Sequence, residues 1–440
     1  MHRLEYPGPA VFGYDTDAPL RRVASISVHT SPLAVLGGKD AGGMNVYVRE
    51  LARHLAQRDL PVDIFTRRTD PTTPETVEID PGVNLISIPA GPPEPLDKRL
   101  IFPFLAEFAA QAALYSLRQG VRYDVAHSHY WLSGWAAHLL RRFWDTPFVH
   151  MFHTTAHMKN AVAGVADLEP QIRVDHERRL VELADSLIAA NPDERADLVW
   201  RQRADASKIC TVPPGVDLAL FKPMPQEEAR AALGINSDEC VIAFVGRIDP
   251  IKGVEVLFDA LRMLNEERFR RPRLLFVGGD LDEAGEPTGA LAEVAALADQ
   301  INLRDRVLFA GSRPRERLPF YYCAADVVAV PSRYESFGLV AVEAMACGTP
   351  VVASRVGGLK FTVEEGVSGL LVPPGDPVLL ANGLASVLRN PELRTRLGAA
   401  ALNSARPFAW PAVALAIHHI YQRLADGHRA NLCCDEEIYA

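Results

Sequence analysis

Short apolar runs alternate with amphipathic segments along this chain in two successive series, and that alternation leaves few folds open. The first series begins with residues 23–28 (VASISV) and continues through 62–66, 85–88, 125–127 and 148–152, closing with 187–190 and 209–212. Between these runs, apolar residues fall at helical spacing: Val46, Val48, Leu51 and Leu55, then 102–117 and 135–143. Short buried strands joined by helices are the signature of a parallel, doubly wound sheet covered on both faces. From Val241 the cycle restarts, with strands expected at 241–245, 274–277, 307–309, 327–330 and 351–353 and helices at 254–265, 289–300 and 339–346. Two α/β domains are therefore expected, which suits a length of 440 residues.

The rigid turn Pro213-Pro214-Gly215 places the boundary near residue 217. This gives a flexible tail at 1–20, a first domain at 21–216, a second at 217–404, and a last stretch, 405–440, holding an amphipathic helix at 410–424. No strand follows that helix, and it is free either to cross back to the first domain or to pack on the second.

A formal charge of −9 disfavours a nucleic-acid-coating role, which needs a concentrated positive face. The six cysteines, Cys210, Cys240, Cys323, Cys347, Cys433 and Cys434, show no zinc spacing, and the adjacent pair at the end is poor disulfide material. They are expected as reduced thiols of a cytoplasmic protein. Neither a signal-peptide run nor a transmembrane segment is present in the sequence.

Three loops at the ends of expected strands carry the candidate chemistry. The first, residues 37–45 (GGKDAGGMN), precedes a helix, where glycines admit a ligand to the backbone and free N–H groups favour an anion such as a diphosphate. It lacks the Gly-Lys-Ser/Thr of a Walker A loop and the GxGxxG of a dinucleotide site, so a phosphate cradle and a plain turn both fit it. The second, residues 246–253 (GRIDPIKG), sets Arg247 and Lys252 at the mouth of a parallel sheet, where open α/β folds bind ligands. A pair of solvated surface cations is the alternative. The third runs from Pro331 to Glu343, with Glu335 in the loop and Glu343 two helical turns on, inside the apolar run LVAVEAMA. A carboxylate buried there needs hydrogen-bond donors, and a ribose diol would supply two; local pairing or capping is the other option.

These residues carry a resemblance. The Gly42-Gly43 loop, the Arg247 and Lys252 pair, and the Glu-x7-Glu formed by Glu335 and Glu343 are similar, in order and spacing, to the large retaining glycosyltransferase family four of GT-B fold. The resemblance covers about residues 22–425. It implies two Rossmann-like domains facing across a cleft, with a nucleoside diphosphate sugar, expected to be UDP-linked, as co-substrate on the second. It further implies that Arg247 and Lys252 neutralise the diphosphate leaving group and that Glu343 holds the ribose. Glu335, with Phe337, Gly338 and Leu339, would meet the donor beside Gly42 and Gly43. His153 resembles the family's catalytic-loop histidine that contacts the donor sugar, although a satisfied core histidine is an alternative. No general base is nominated, because in this family the leaving phosphate is thought to accept the proton. Nor is a metal or other cofactor expected: the Asp15-Thr16-Asp17 and Asp280-Leu281-Asp282 matches to DxD read as solvated charge.

The wording of the first domain resembles most the D-inositol 3-phosphate glycosyltransferase branch. By that resemblance Asn45 binds ring hydroxyls of the acceptor, while Lys98, Tyr130, Thr154 and Arg173 bind its phosphate, a sensible cage of two cations and two hydroxyls. Met151-Phe152 before His153, and the apolar stretch 161–167, depart from the branch. Sucrose-phosphate synthases share the framework, usually with Gln where Met44 stands, so inositol phosphate and fructose 6-phosphate both stay open as acceptors. An epimerase or a non-catalytic sugar-phosphate module would not need Arg247, Lys252, Glu335, Glu343 and His153 together. Only small-molecule partners are expected, and a homodimer stays open.

Overall fold

The computed structural model describes residues 20–33, 42–162, 168–264 and 272–433. Gly37 and Gly38 of the glycine-rich loop, the Asp15 and Asp17 pair, residues 163–167 and Cys434 lie outside the described residues. The chain divides into two compact units, the first formed by described residues 20–33, 43–214 and 410–433 and the second by residue 42 with 215–409.

The first unit is built on an eight-stranded sheet: β1 (Val23–Ile26), β2 (Val62–Arg67), β3 (Thr76–Asp80), β4 (Val83–Ile88), β5 (Val125–His129), β6 (Phe148–Met151), β7 (Ser186–Ala189) and β8 (Ile209–Thr211). Their order is β3-β4-β2-β1-β5-β6-β7-β8, parallel throughout except where β3 joins β4. The sheet winds outward from β1 in one direction and then, from β5, in the other, so the topological switch point lies between β1 and β5. Its helices are α1 (Gly43–Ala56), α2 (Leu105–Gln119), α3 (Tyr130–Trp144), α4 (Ala156–Asn160), α5 (Gln171–Leu183) and α6 (Pro192–Trp200). Phe108 and Ala112 of α2 and Leu132, Ala136 and Leu140 of α3 share one core with Ile26, Phe65 and Ala126 of the sheet.

The second unit has six parallel strands, β9 (Val241–Val245), β10 (Arg273–Val277), β13 (Val307–Gly311), β14 (Val327–Val330), β15 (Val351–Ser354) and β16 (Gly369–Val372), and a small hairpin of β11 (Asp280–Leu281) and β12 (Pro287–Thr288). The order β13-β10-β9-β14-β15-β16 is that of a dinucleotide-binding sheet, with its switch point between β9 and β14. Helices α7 (Gln226–Leu233), α8 (Val254–Met263), α9 (Gly289–Gln300), α10 (Leu318–Ala324), α11 (Leu339–Ala346), α12 (Leu359–Thr362), α13 (Pro377–Arg389) and α14 (Pro391–Ala405) connect the strands or follow them. Among the described residues no helix is long and apolar enough to cross a membrane.

The last helix, α15 (Trp410–Ala425), belongs to the first unit. Trp410, Val413, Ile417, Ile420 and Tyr421 form one core with Tyr47, Leu51 and Leu55 of α1 and with Val23, Val125, Val149 and Met151 of the sheet. That placement overturns an expectation about the cysteines: Cys210 on β8 and Cys433 after α15 form a disulfide, 223 positions apart with Cα atoms 5.5 Å apart. Sequence separation hid the pair. Only the return of α15 brings the chain end to β8, where the Asn431 N–H also donates to the Ser207 carbonyl at 2.8 Å. Cys323 and Cys347 are buried free thiols.

Trp410 is wholly buried in that core. Trp410→Ala should therefore lower the stability of the first unit by about 3–5 kcal/mol, the usual range for truncating a buried aromatic. Denaturant unfolding followed by far-UV circular dichroism checks this; a loss under 1 kcal/mol would show that α15 is not part of that core.

Candidate active site

In the second unit, the loops after β9 and β14 meet at the switch point. Gly253 ends the first loop with φ +66°, and a Cβ there would stand 2.2 Å from the Pro331 carbonyl oxygen. No side chain fits, so glycine is what lets the loops touch. The Arg333 N–H then donates to the Ile251 carbonyl at 2.7 Å, and Lys252 Nζ reaches Glu335 Oε2 at 2.6 Å. Both partners are mostly covered but not sealed, at 22% and 16% side-chain exposure. Arg247 is half-buried on the same loop, and a Cβ at Gly42 would lie 3.7 Å from its Nε.

Two helices begin at this point, α8 behind Gly253 and α11 behind Gly338, which has φ +97°. Neither first turn is capped by a side-chain hydrogen bond. First-turn N–H groups and positive helix ends thus follow both loops, one of which also carries Arg247 and Lys252. Glu343 is buried on α11, as its apolar surroundings predict. The protein supplies partners of its own for that carboxylate: Tyr322 of α10 donates to Oε2 at 2.8 Å, and Arg315 Nε lies 3.7 Å from Oε1. Asp282 of the second DxD match accepts the Ala284 and Glu286 N–H groups, which makes it a turn residue of the small hairpin.

In the first unit, the ends of β5 and β6 carry two non-glycine residues in the left-handed region, Tyr130 (φ +71°) and His153 (φ +60°). Such strain costs about 1–3 kcal/mol and gathers at functional sites. His153 Nε2 lies 3.1 Å from His129 Nδ1, and its ring meets the edge of Tyr47 with centroids 5.1 Å apart. Burial, then the neighbouring imidazoles His127, His150 and His29, holds His153 well below the usual histidine range, so it is neutral at pH 7. A neutral ring binds a sugar hydroxyl as a donor or acceptor and carries no charge into the site.

The expected acceptor residues gather in part. Arg173 is buried, with its guanidinium 4.7 Å above the Tyr130 ring. Its Nε donates to Glu177 Oε1 at 2.6 Å, Nη1 pairs with Glu169 Oε2 at 3.1 Å, and Nη2 donates to the Thr154 carbonyl. Arg173, Tyr130 and Thr154 thus form one corner. Lys159 joins it by pairing with Glu169, a residue that motif matching passed over because its role exists only once α4 and α5 are adjacent. Lys98 stands on the 3-10 turn Lys98–Leu100, and Phe102 just beyond stacks on Trp131 beside Tyr130, with centroids 5.5 Å apart. Asn45 is buried, and its amide nitrogen donates to Thr30 Oγ1 at 2.8 Å and to the Ser31 carbonyl at 2.6 Å, fastening the stretch after β1. The buried histidines were legible only as residues of strands; their clustering depends on register.

That cluster makes the first unit acid-sensitive. Burial pushes His127 and His150 down to about 3, and His129 and His153 also lie well below their ordinary value. All four stay neutral in the fold and take a proton on unfolding below about pH 6.5. Their stabilisation is present above that pH and is lost as pH falls toward 3. One carboxyl opposes it: burial pushes Glu194 up to about 7, so it holds a native proton that the unfolded chain releases above about pH 4.3. The four histidines outweigh that one carboxyl, so stability falls as pH drops from about 6.5 to 4.5. Thermal melts of the protein at pH 7.5, 6 and 5 should show a falling midpoint; a flat or rising profile would contradict this arrangement.

Comparison with known proteins agrees with the geometry. The profile for glycosyl transferases group 1 matches residues 225–404, and that for Glycosyltransferase Family 4 matches residues 41–220. The D-inositol 3-phosphate glycosyltransferase of Xylanimonas cellulosilytica is 46% identical over 408 residues, spanning 91% of this chain and 96% of that protein. The protein of the same name from Corynebacterium diphtheriae is 44% identical over 408 residues, spanning 91% and 94%. Among solved structures, sucrose-phosphate synthase from Thermosynechococcus elongatus superposes with a TM-score of 0.85 at 38% identity, covering 93% of this chain and all of that one. The catalytic domain of Starch Synthase IV from Arabidopsis thaliana shares the fold alone, with a TM-score of 0.71 at 15% identity over 93% of this chain and 100% of that one. With two Rossmann-like units of GT-B type and both halves matched, the chain belongs to the group 1 and family 4 glycosyltransferases.

Proposed function

We propose that this glycosyltransferase moves a hexose or N-acetylhexosamine from a UDP-linked donor to inositol phosphate, with retention of anomeric configuration. The observation that carries the acceptor reading is the corner formed by Arg173, Tyr130, Thr154 and Lys159 in a chain so similar to proteins named for D-inositol 3-phosphate. A buried guanidinium braced by Glu177 keeps its fork in a fixed orientation, which suits a planar or tetrahedral oxyanion. Glu169 bridges Lys159 and Arg173, and an incoming phosphate dianion can take its place on both cations.

On the donor side, Arg247 and Lys252 meet the charge that develops on the departing diphosphate, aided by the N-termini of α8 and α11. Fixed cations and dipoles aimed at developing charge are commonly the largest catalytic contribution. They supply the charge stabilisation that a metal ion gives elsewhere, and no metal or other cofactor enters this reading. Glu335 orients Lys252 and faces the sugar, Glu343 lies where the ribose would be held, and neutral His153 contacts a sugar hydroxyl. The acceptor hydroxyl passes its proton to the leaving phosphate oxygen as the new glycosidic bond forms and the old C–O bond breaks.

A second reading, transfer of glucose to fructose 6-phosphate, is favoured by the likeness to sucrose-phosphate synthase at 38% identity. Release of nucleoside diphosphate from UDP-, GDP- and ADP-sugars, each with D-inositol 3-phosphate, fructose 6-phosphate or no acceptor, decides between them. Turnover is expected with a UDP-sugar and inositol phosphate. Turnover with fructose 6-phosphate alone would move the chain to the second reading, and silence with both acceptors would overturn the phosphate corner as an acceptor site.

A further inference from the structure

Strand β5 carries histidines at alternate positions, His127 and His129, and the period of a strand turns both to one face. Register pairs them with Val149 and Met151 of β6, whose side chains lie in the core closed by α1 and α15. An apolar face thus receives two imidazoles, the Tyr47 phenol and the Trp410 indole. The rings touch: His127 and His129 have centroids 4.2 Å apart, Tyr47 lies 5.7 Å from His129 and 5.5 Å from Trp410, and Tyr421 lies 5.7 Å from His127.

Within this group, His127 Nδ1 and the Tyr421 hydroxyl are 2.6 Å apart, and His129 Nδ1 bonds to His153 Nε2. Four further polar atoms, Tyr47 Oη, His127 Nε2, His129 Nε2 and Trp410 Nε1, are buried and bond to no described protein group. Buried polar atoms are rarely left unpaired, and an internal water with two to four polar neighbours is the usual partner.

We propose that His129 is a positioning residue for His153, the last link of a buried hydrogen-bonded chain that starts at Tyr421 and Trp410 of α15 and passes through an internal water. Donor counting gives the chain a direction. The indole N–H of Trp410 can only donate, and Tyr421 satisfies its hydroxyl proton by donating to His127 Nδ1. His127 is neutral, so its Nε2 then carries the proton and donates as well. Internal water accepts from Trp410, His127 and the Tyr47 hydroxyl and gives a proton to His129 Nε2. His129 must therefore donate from Nδ1, His153 accepts at Nε2, and the His153 proton sits on Nδ1. A helix at the far end of the sequence thereby fixes which nitrogen of His153 offers an N–H to a ligand. The functional half of this inference rests on the reading of His153 as a sugar contact; the tautomer does not.

Nitrogen-15 NMR of protein labelled at histidine, with His153 assigned by its absence in His153→Ala, reads the tautomer at pH 7.5. The expected result is a single Nδ1–H form in the wild type and a mixture in both His129→Leu and Trp410→Phe, the second being mild enough to fold if the first does not. The same variants should lose about tenfold or more in kcat, the usual size for disturbing a group that orients a functional residue, with both KM values within about twofold. His129→Asn, which can still offer a donor near the Nδ1 position, should recover most of the loss. An Nε2–H tautomer in the wild type, or an unchanged His153 spectrum in the variants, overturns the chain. A shifted tautomer with unchanged kcat supports the chain and overturns the role of His153 in transfer.

Discussion

The close approach of Gly253 to the Pro331 carbonyl is the constraint on which the second unit's site rests. A methyl group at position 253 would occupy space held by a backbone oxygen 2.2 Å away, and φ is +66° besides. Because residue 253 has no side chain, the loops from β9 and β14 close on each other at the switch point. Lys252 then meets Glu335, the Arg333 N–H finds the Ile251 carbonyl, and α8 and α11 start behind Gly253 and Gly338 of these same loops. Removing the contact would separate the cation from the carboxylate while leaving both residues in the sequence. Chemistry here is a consequence of backbone packing.

In the first unit the corresponding organiser is α15. It closes the face of the sheet that holds His127 and His129, and it supplies Trp410 and Tyr421 to a cluster that also contains Tyr47. Burial keeps the imidazoles neutral, and neutrality is what lets them pass hydrogen bonds along a line instead of repelling one another as cations. Arg173 shows the opposite case. It is as deeply buried, but Glu177 and Glu169 stand beside it, so its charge is retained and held in one orientation.

Much of this was legible in the sequence. Runs such as VIAFV and VASI are buried on both faces of parallel sheets, and their continuous apolar character shows it directly. The loops holding Arg247, Lys252 and Glu335 could be picked out because polar residues there interrupt an otherwise apolar strand-to-helix pattern. Strand β3, Thr-Val-Glu-Ile-Asp at the sheet edge, was not seen, since an exposed antiparallel edge strand carries little apolar signal. For Glu343 the sequence leaves a ribose diol and local pairing both open, and it does not show that Tyr322 and Arg315, distant in sequence, come to the carboxylate through α10 and its preceding turn. The Cys210–Cys433 bond, the Glu169 bridge and the histidine cluster were hidden for a common reason: each joins groups whose proximity depends on register or on the return of α15.

The central claim is that the paired loops after β9 and β14 receive the diphosphate of the donor. A crystal structure of the protein with UDP tests it most directly. The account predicts the β-phosphate within hydrogen-bond reach of both Lys252 Nζ and the Arg247 guanidinium, facing the first turn of α11. UDP bound away from these loops, with Lys252 touching only Glu335, would contradict it.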